Sequence, residues 1–175
     1  QDHGQPAWRA KAIRRWLFAS RVESFEDMTD LPKGLRDDLA DAFTLWTTTI
    51  ARHHQADDGT EKLLLQLHDG QRIECVMLRD GDRRTVCISS QVGCAMGCVF
   101  CASGLDGVVR NLTSGEIIEQ LVRLTALLPD DERISHIVVM GMGEPLANLP
   151  ALLPALQVAE SAEGFGISQR RITIS

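Results

Sequence analysis

The chain has 175 residues, with 18 Lys plus Arg against 24 Asp plus Glu and a formal net charge of −6. At 44% hydrophobic and 24% charged residues it has the composition of a soluble globular protein able to bury a sizeable core. No apolar run approaches the roughly 18 residues of a membrane-crossing helix, and the acidic balance argues against nucleic-acid binding through bulk charge, though not against a local basic surface.

No basic-then-apolar leader is visible, and the chain opens on Gln1 rather than Met, so the natural N-terminus is expected upstream. The first periodic segment is Trp8–Phe18, where Trp8, Ala12, Ile13, Trp16 and Leu17 recur at helical spacing among Arg9, Lys11, Arg14 and Arg15. A second helix is expected over Pro32–Phe43, with Pro32 in its first turn. Together they make a small helical unit over residues 1–45 whose apolar faces read as core. The basic residues fit either a solvated face or an RNA contact.

From Trp46 to Leu78 the pattern turns to strands. Thr47–Ile50 is β-branched, Leu63–Leu67 follows Asp58-Gly59, and Ile73–Leu78 follows Asp69-Gly70, which predicts a short antiparallel meander over residues 46–80. From residue 81 the rhythm is strand, loop, helix, strand: Thr85–Ser89 as a strand, a glycine- and cysteine-rich loop, a helix from Thr113 to Leu128 opened by the capping box Thr113-Ser114-Gly115-Glu116, a strand over Ile134–Met140, a helix over Leu149–Ser161, and a strand beginning at Arg171. This alternation implies an α/β fold with parallel strands, and such folds carry ligand chemistry at the carboxyl ends of their strands.

Five cysteines stand at 75, 87, 94, 98 and 101. The odd, clustered count argues for metal or redox chemistry in a reducing compartment, hence a cytoplasmic protein, rather than a disulfide framework. Cys94, Cys98 and Cys101 are spaced C-x3-C-x2-C on one loop. Three thiolates satisfy three irons of a four-iron cluster and leave one open for a further ligand. The other reading of the same residues is a structural zinc completed by His136 or a distant cysteine.

The Cys94–Cys101 motif resembles the signature of radical S-adenosylmethionine enzymes. With Cys87-Ile88-Ser89-Ser90-Gln91-Val92-Gly93-Cys94, Arg110-Asn111-Leu112, Gly141-Met142-Gly143-Glu144-Pro145 and Arg170-Arg171-Ile172-Thr173-Ile174-Ser175 in that order, the chain resembles the RlmN/Cfr family of RNA adenosine methyltransferases, over their N-terminal half only. The resemblance implies an α/β fold: a partial, truncated radical SAM (βα) barrel over residues 81–175, preceded by a small helical accessory RNA-binding domain and a short antiparallel strand meander.

It further implies a [4Fe-4S] cluster on Cys94, Cys98 and Cys101, and S-adenosyl-L-methionine held by Gly143, Glu144, Ser175 and Phe100. Glu74 takes the part of proton acceptor, and Cys87 that of the thiol that resolves a methyl-cysteine intermediate by transient disulfide formation. The methyl-carrying cysteine has no counterpart after Cys101, so the chain is expected to be a fragment inactive by itself. The implied reaction is methylation at C2 of an adenosine in ribosomal RNA, with transfer RNA a second substrate and a reducing electron donor such as flavodoxin as partner. The implied protein is a monomer with no membrane association. The C8-directed sister enzyme and a non-catalytic zinc/RNA-binding module are the competing readings. Arg9, Lys11, Arg14, Arg15 and Arg110 are the expected RNA-docking cations.

Overall fold

The structure, a computed structural model, describes residues 6–20 and 22–175. Helices α1 (Ala7–Phe18) and α2 (Lys33–Ala42) each start directly after a proline, whose fixed φ sets the helix entry. Between them a single 3-10 turn, Phe25–Asp27, is closed by a reciprocal Ser24–Asp27 capping box. Ala12, Val22, Phe25, Met28 and Leu31 form a small separate core, against which Ile13, Trp16, Leu17, Leu35 and Leu39 pack. Trp8, expected in that core, is instead 55% exposed in the first turn, with the Arg9 guanidinium 5.4 Å from its ring centroid.

The chain then enters a meander of β1 (Thr49–Gln55), β2 (Glu61–Gln66), β3 (Arg72–Asp80) and β4 (Arg83–Cys87), each strand antiparallel to the one before it. The Asp-Gly pairs stand at its turns, where Asp58 and Asp69 accept from backbone N–H groups two residues on. A short hairpin follows, β5 (Gln91–Gly93) and β6 (Val108–Asn111), enclosing the cysteine loop. Helix α3 (Ser114–Thr125) leads to β7 (His136–Val139), and α4 (Leu149–Glu160) to β8 (Ile172–Ile174). Strands β7 and β8 continue the same sheet in parallel, giving the six-stranded order β1-β2-β3-β4-β7-β8. The meander and the parallel strands therefore share one sheet.

The sheet has two unlike faces because side chains alternate along each strand. Leu63, Leu65, Ile73, Cys75, Met77, Val86, Ile88, Ile137 and Val139 point to one side and are buried against Ile117, Leu121 and Leu124 of α3 and Leu152, Ala155 and Leu156 of α4. Lys62, Leu64, Glu74, Val76, Cys87, Val138 and Thr173 alternate with them, and none of these is buried. Among the described residues, helices cover only the first face; the second is open.

Two elements differ from the sequence-based expectation. The first strand begins at Thr49, not Thr47, because Thr47 and Thr48 serve another purpose: their backbone N–H groups and hydroxyls donate four hydrogen bonds of 2.7–3.0 Å to the buried Glu119 carboxylate of α3. Trp46 adds a bond from Nε1 to the Val22 carbonyl, 3.0 Å, and Arg123 reaches the Thr48 carbonyl at 2.8 Å. Glu119 thus ties the segment leaving the helical unit to the main core. The β5–β6 hairpin was not foreseen either; its strands are too short and glycine-rich to carry an alternation signal. Among the described residues no helix is long and apolar enough to cross a membrane.

Replacing Glu119 by Ala strands four donors, two of them in a buried residue. Glu119→Ala is therefore expected to lower unfolding free energy by about 2–4 kcal/mol. Urea denaturation followed by tryptophan fluorescence measures it; a loss under about 0.5 kcal/mol would show that the tie is not structural.

Candidate functional site

Two loops meet at the carboxyl ends of the parallel strands. The segment leaving β4, Ile88–Gln91, and the segment leaving β7, Gly141–Glu144, are joined by hydrogen bonds. Gly141 N–H donates to the Ile88 carbonyl (3.1 Å), Ser90 N–H to the Met142 carbonyl (2.8 Å), Met142 N–H to Ser89 Oγ (2.8 Å), and Glu144 N–H to Gln91 Oε1 (2.8 Å). Contact this close is possible only with glycine at 143. Its φ is +101°, and a Cβ there would lie 2.5 Å from Gln91 Cβ and 2.7 Å from Gln91 N. Gln120 of α3, fully buried, holds the same segment from behind through the Ser89 N–H (2.8 Å) and carbonyl (2.9 Å). Asn148 donates to the carbonyls of Ser90 and Leu112.

The cysteine loop hangs from this frame. Cys94 N–H donates to the Gly107 carbonyl at 2.9 Å, closing the loop's base, and Gly93 is there at φ +72° because a side chain would collide with that carbonyl. Cys94 is buried at the base, Cys98 is exposed at the tip and Cys101 is half-buried. The backbone N–H of Ser103, then its side chain, holds the Cys101 thiol below its usual pKa. Val99 and Phe100 project into solvent, Phe100 with 89% of its surface exposed. The three thiols share one loop but do not converge: among the described residues no group of three His, Cys, Asp or Glu side chains is placed to hold a metal ion. The donor set suits an iron–sulfur cluster, because three soft thiolates on a loop with an exposed tip can turn inward onto a polynuclear centre. His136, the sequence-based candidate for a zinc ligand, opens β7 and so lies at the opposite end of the strands from the cysteine loop. There it is bonded to Ser135 and Arg83. Burial, then the Arg83 and Arg171 charges, lower its pKa.

Glu144 is half-buried at the loop's end and caps the short 3-10 turn Pro145–Asn148 by accepting from Leu146 N–H at 2.9 Å. Ser175 follows the exposed end of β8. Glu74 and Cys87 stand on the open face of the sheet, on the neighbouring strands β3 and β4. Val76 is the direct partner of Cys87, which puts Glu74 on the diagonal, a relation that spans about 7–8 Å between backbones. Glu74 pairs with Lys62 of β2 at 3.0 Å. Burial pushes the Cys87 thiol up, and the Met140 N–H partly opposes it. Cys75 lies on the other face in the core, where burial raises its pKa far more. All five cysteines are free thiols.

Sequence reading gave no frame-holding role to Gln91, Gln120 and Asn148, and gave Glu116 only as a capping residue. The only signal was that three of them are polar positions inside otherwise apolar or helical segments. Arg110, expected to dock RNA, is instead a strut. It reaches both oxygens of Glu116 (2.7 and 2.9 Å) and Asp69 (2.7 Å). Of the α1 cations, Arg14 pairs with Glu163 and Arg15 with Asp30. Burial would raise the Glu116 pKa, but the Arg110 guanidinium and the Thr113 N–H outweigh it and leave the carboxyl below its ordinary value.

The comparisons with known proteins agree on one family. Residues 1–45 match the family model described as the ribosomal RNA large subunit methyltransferase N-terminal domain. A probable dual-specificity RNA methyltransferase RlmN from Rhodopirellula baltica is 65% identical over 175 residues, covering 100% of this chain and 47% of that protein. The Bacillus subtilis protein of the same description is 45% identical, covering 99% and 48%. The crystal structure of a radical SAM methyltransferase from Sphaerobacter thermophilus superposes with a TM-score of 0.92 at 43% identity, covering 98% of this chain and 51% of that one. The chain spans about half the length of the curated relatives it matches.

Because the folded-state pKa of Glu116 is depressed, its contribution to stability is complete above the unfolded glutamate value of about 4.3 and is lost as pH falls below it. Glu116→Gln should cost about 2 kcal/mol at pH 7, and the gap to the unsubstituted protein should narrow as pH falls from neutral to below about 4.3. Urea melts across that range read the gap; a gap that does not change with pH would remove Glu116 from the acid response.

Proposed function

The chain belongs to the RlmN family of radical SAM methyltransferases, and on that premise we propose that it forms the cluster-binding, cofactor-binding and proton-accepting part of an enzyme that methylates C2 of an adenosine in large-subunit ribosomal RNA, and also in transfer RNA, by way of a methyl-cysteine. One observation carries the reading. Glu74 and Cys87 share the open face of the sheet, and that sheet ends in the two hydrogen-bonded loops that bear the cysteines and Glu144. A base, a thiol and the cofactor loops therefore border one space.

In this reading Cys94, Cys98 and Cys101 hold the [4Fe-4S] cluster. Gly143, Glu144, Phe100 and Ser175 hold S-adenosyl-L-methionine. Once bound, the cluster supplies one electron and an open iron to the cofactor, which supplies the methyl group. The chain's own residues do the rest. Gly141 and Gly143 let the two loops close on each other, which fixes where Glu144 stands. The Glu144 carboxylate suits the ammonium of an amino acid. Glu74 sits half-exposed, within reach of a substrate lying on the sheet face, and accepts a proton at its carboxylate. The Cys87 thiol, held protonated by burial, stays unreactive until a partner sulfur reaches it. For release of the product, Cys87 Sγ gives up its proton and attacks the carrier cysteine's thioether sulfur. The S–S bond forms as the S–CH2 bond breaks, and the electron pair goes to the carbon, which takes up a proton to become the methyl group.

The helical unit over residues 1–45 serves as the accessory RNA-binding domain, residues 46–80 as the meander, and residues 81–175 as the first half of the barrel. A flavodoxin-like electron donor, a monomeric state and a cytoplasmic location go with this assignment.

The test uses the full-length protein, prepared anaerobically and reconstituted with iron and sulfide. Cys98→Ala should lose most of the bound iron. Glu74→Gln should keep its iron and lose about 10²- to 10⁴-fold in methylation rate. Mass spectrometry of nuclease-digested RNA should show 2-methyladenosine. An 8-methyladenosine product overturns the regiochemistry, and a fully active Glu74→Gln overturns the assignment of the base.

A further inference from the structure

The basic residues expected to dock RNA are mostly neutralised: Arg110 by Glu116 and Asp69, Arg14 by Glu163, Arg15 by Asp30. Among the described residues Lys11 of α1 and, on the open face of the meander, Arg52 and His54 form no ion pair. The pairing register lines up those of the meander. Arg52 of β1 faces Leu64 of β2, which faces Glu74 of β3. In the next row His54 faces Lys62, which faces Val76, which faces Cys87 of β4. Arg52, His54, Lys62, Leu64 and Glu74 line one open depression of about 310 Å³. Arg52 and His54 are exposed, and among the described residues neither makes a hydrogen bond or ion pair with another side chain. Arg72 stands exposed on the same face, across from Gln66. Glu74, held by Lys62, is the one carboxylate in the depression.

We propose that Arg52, His54 and Lys62 form a seat for RNA backbone phosphate on the open sheet face beside Glu74. The inference rests on the RNA-methyltransferase reading above and adds to it a docking site. Three lines support it. The charge is complementary: one arginine fork, one ammonium and one imidazole N–H surround a space whose one carboxylate, Glu74, is paired with Lys62. The donors sit on neighbouring strands of one sheet, and Lys62 is oriented there by its 3.0 Å pair with Glu74. The placement fits the chemistry, because the row that starts at His54 and Lys62 ends at Cys87 and the adjacent row ends at Glu74. A strand of RNA seated on these donors by its phosphates has its bases over the thiol and the carboxylate. The contacts position the backbone and carry no sequence information.

Binding of a fluorescently labelled RNA stem–loop with an unpaired adenosine to the full-length reconstituted protein, titrated across salt concentrations, tests the seat. Each lost phosphate contact lowers the salt slope of log K by about 0.7–0.9 and affinity at 0.1 M salt by about five- to eightfold. Arg52→Ala and Lys62→Ala should each show that loss, and the double variant both losses combined. Arg52→Lys and Lys62→Arg should keep the unsubstituted slope, which separates charge from shape. If the unsubstituted protein binds RNA with a salt-dependent affinity and the double Ala variant matches it, the seat is overturned and the methyltransferase reading stands. The same holds if the charge-keeping pair loses as much as the Ala pair. If the unsubstituted protein itself shows no salt-dependent RNA binding, the RNA reading fails along with the seat.

Discussion

The site depends on the contact between the segments that leave β4 and β7. Backbone groups of Ile88, Ser90 and Met142 bond across it, Ser89 and Gln91 add their side chains, and Gln120 anchors it from the core. This contact fixes where the cysteine loop starts and where Glu144 stands, so the two halves of the site cannot move apart without breaking buried hydrogen bonds. Buried polar networks that are fully satisfied rigidify and specify a core in this way. Around the stitch, α3 and α4 seal one face of the sheet and leave the other as a working surface.

The division between rigid frame and open loop explains the state of the cysteines. Cys94 is anchored at the loop's base, whereas Cys98 and Phe100 stand out in solvent. The hydrogen bonds of the frame do not involve the cysteine thiols, and the loop tip stands apart from it. The helical unit is coupled to the frame at some distance from the site, through Glu119, Thr47 and Thr48.

Much of this was legible in the sequence wherever the determinants are local. The Thr113–Glu116 capping box does open α3, with both reciprocal bonds formed. The Asp-Gly pairs do turn the meander, and the cysteine spacing does mark one loop. Alternation in Ile73–Met77 separates Cys75 from Glu74, although it cannot say which of them faces the core. What was not legible is non-local. Glu116 reads as a capping residue, and its second role as the partner of Arg110 needs the fold. Glu119 reads as a solvated helix position until Thr47 and Thr48 arrive. Strand β1, Thr-Ile-Ala-Arg-His-His-Gln, carries no hydrophobic alternation because every one of its residues is exposed, so its extent to Gln55 had no signal.

That same strand has a further consequence. Among the described residues β1 pairs only with β2 and forms one border of the sheet. A border strand offers unpaired N–H and C=O groups as a template for any extended chain, its own copies included. Here the register slips at Ala51, between Ile50 and Arg52, and three basic side chains follow in sequence. A bulge bends the ladder away from the straight edge that a docking strand requires, and the Arg52 charges of two copies would meet across it. The side chains that make the open face attractive to a polyanion thus also guard the sheet against polymerising with itself.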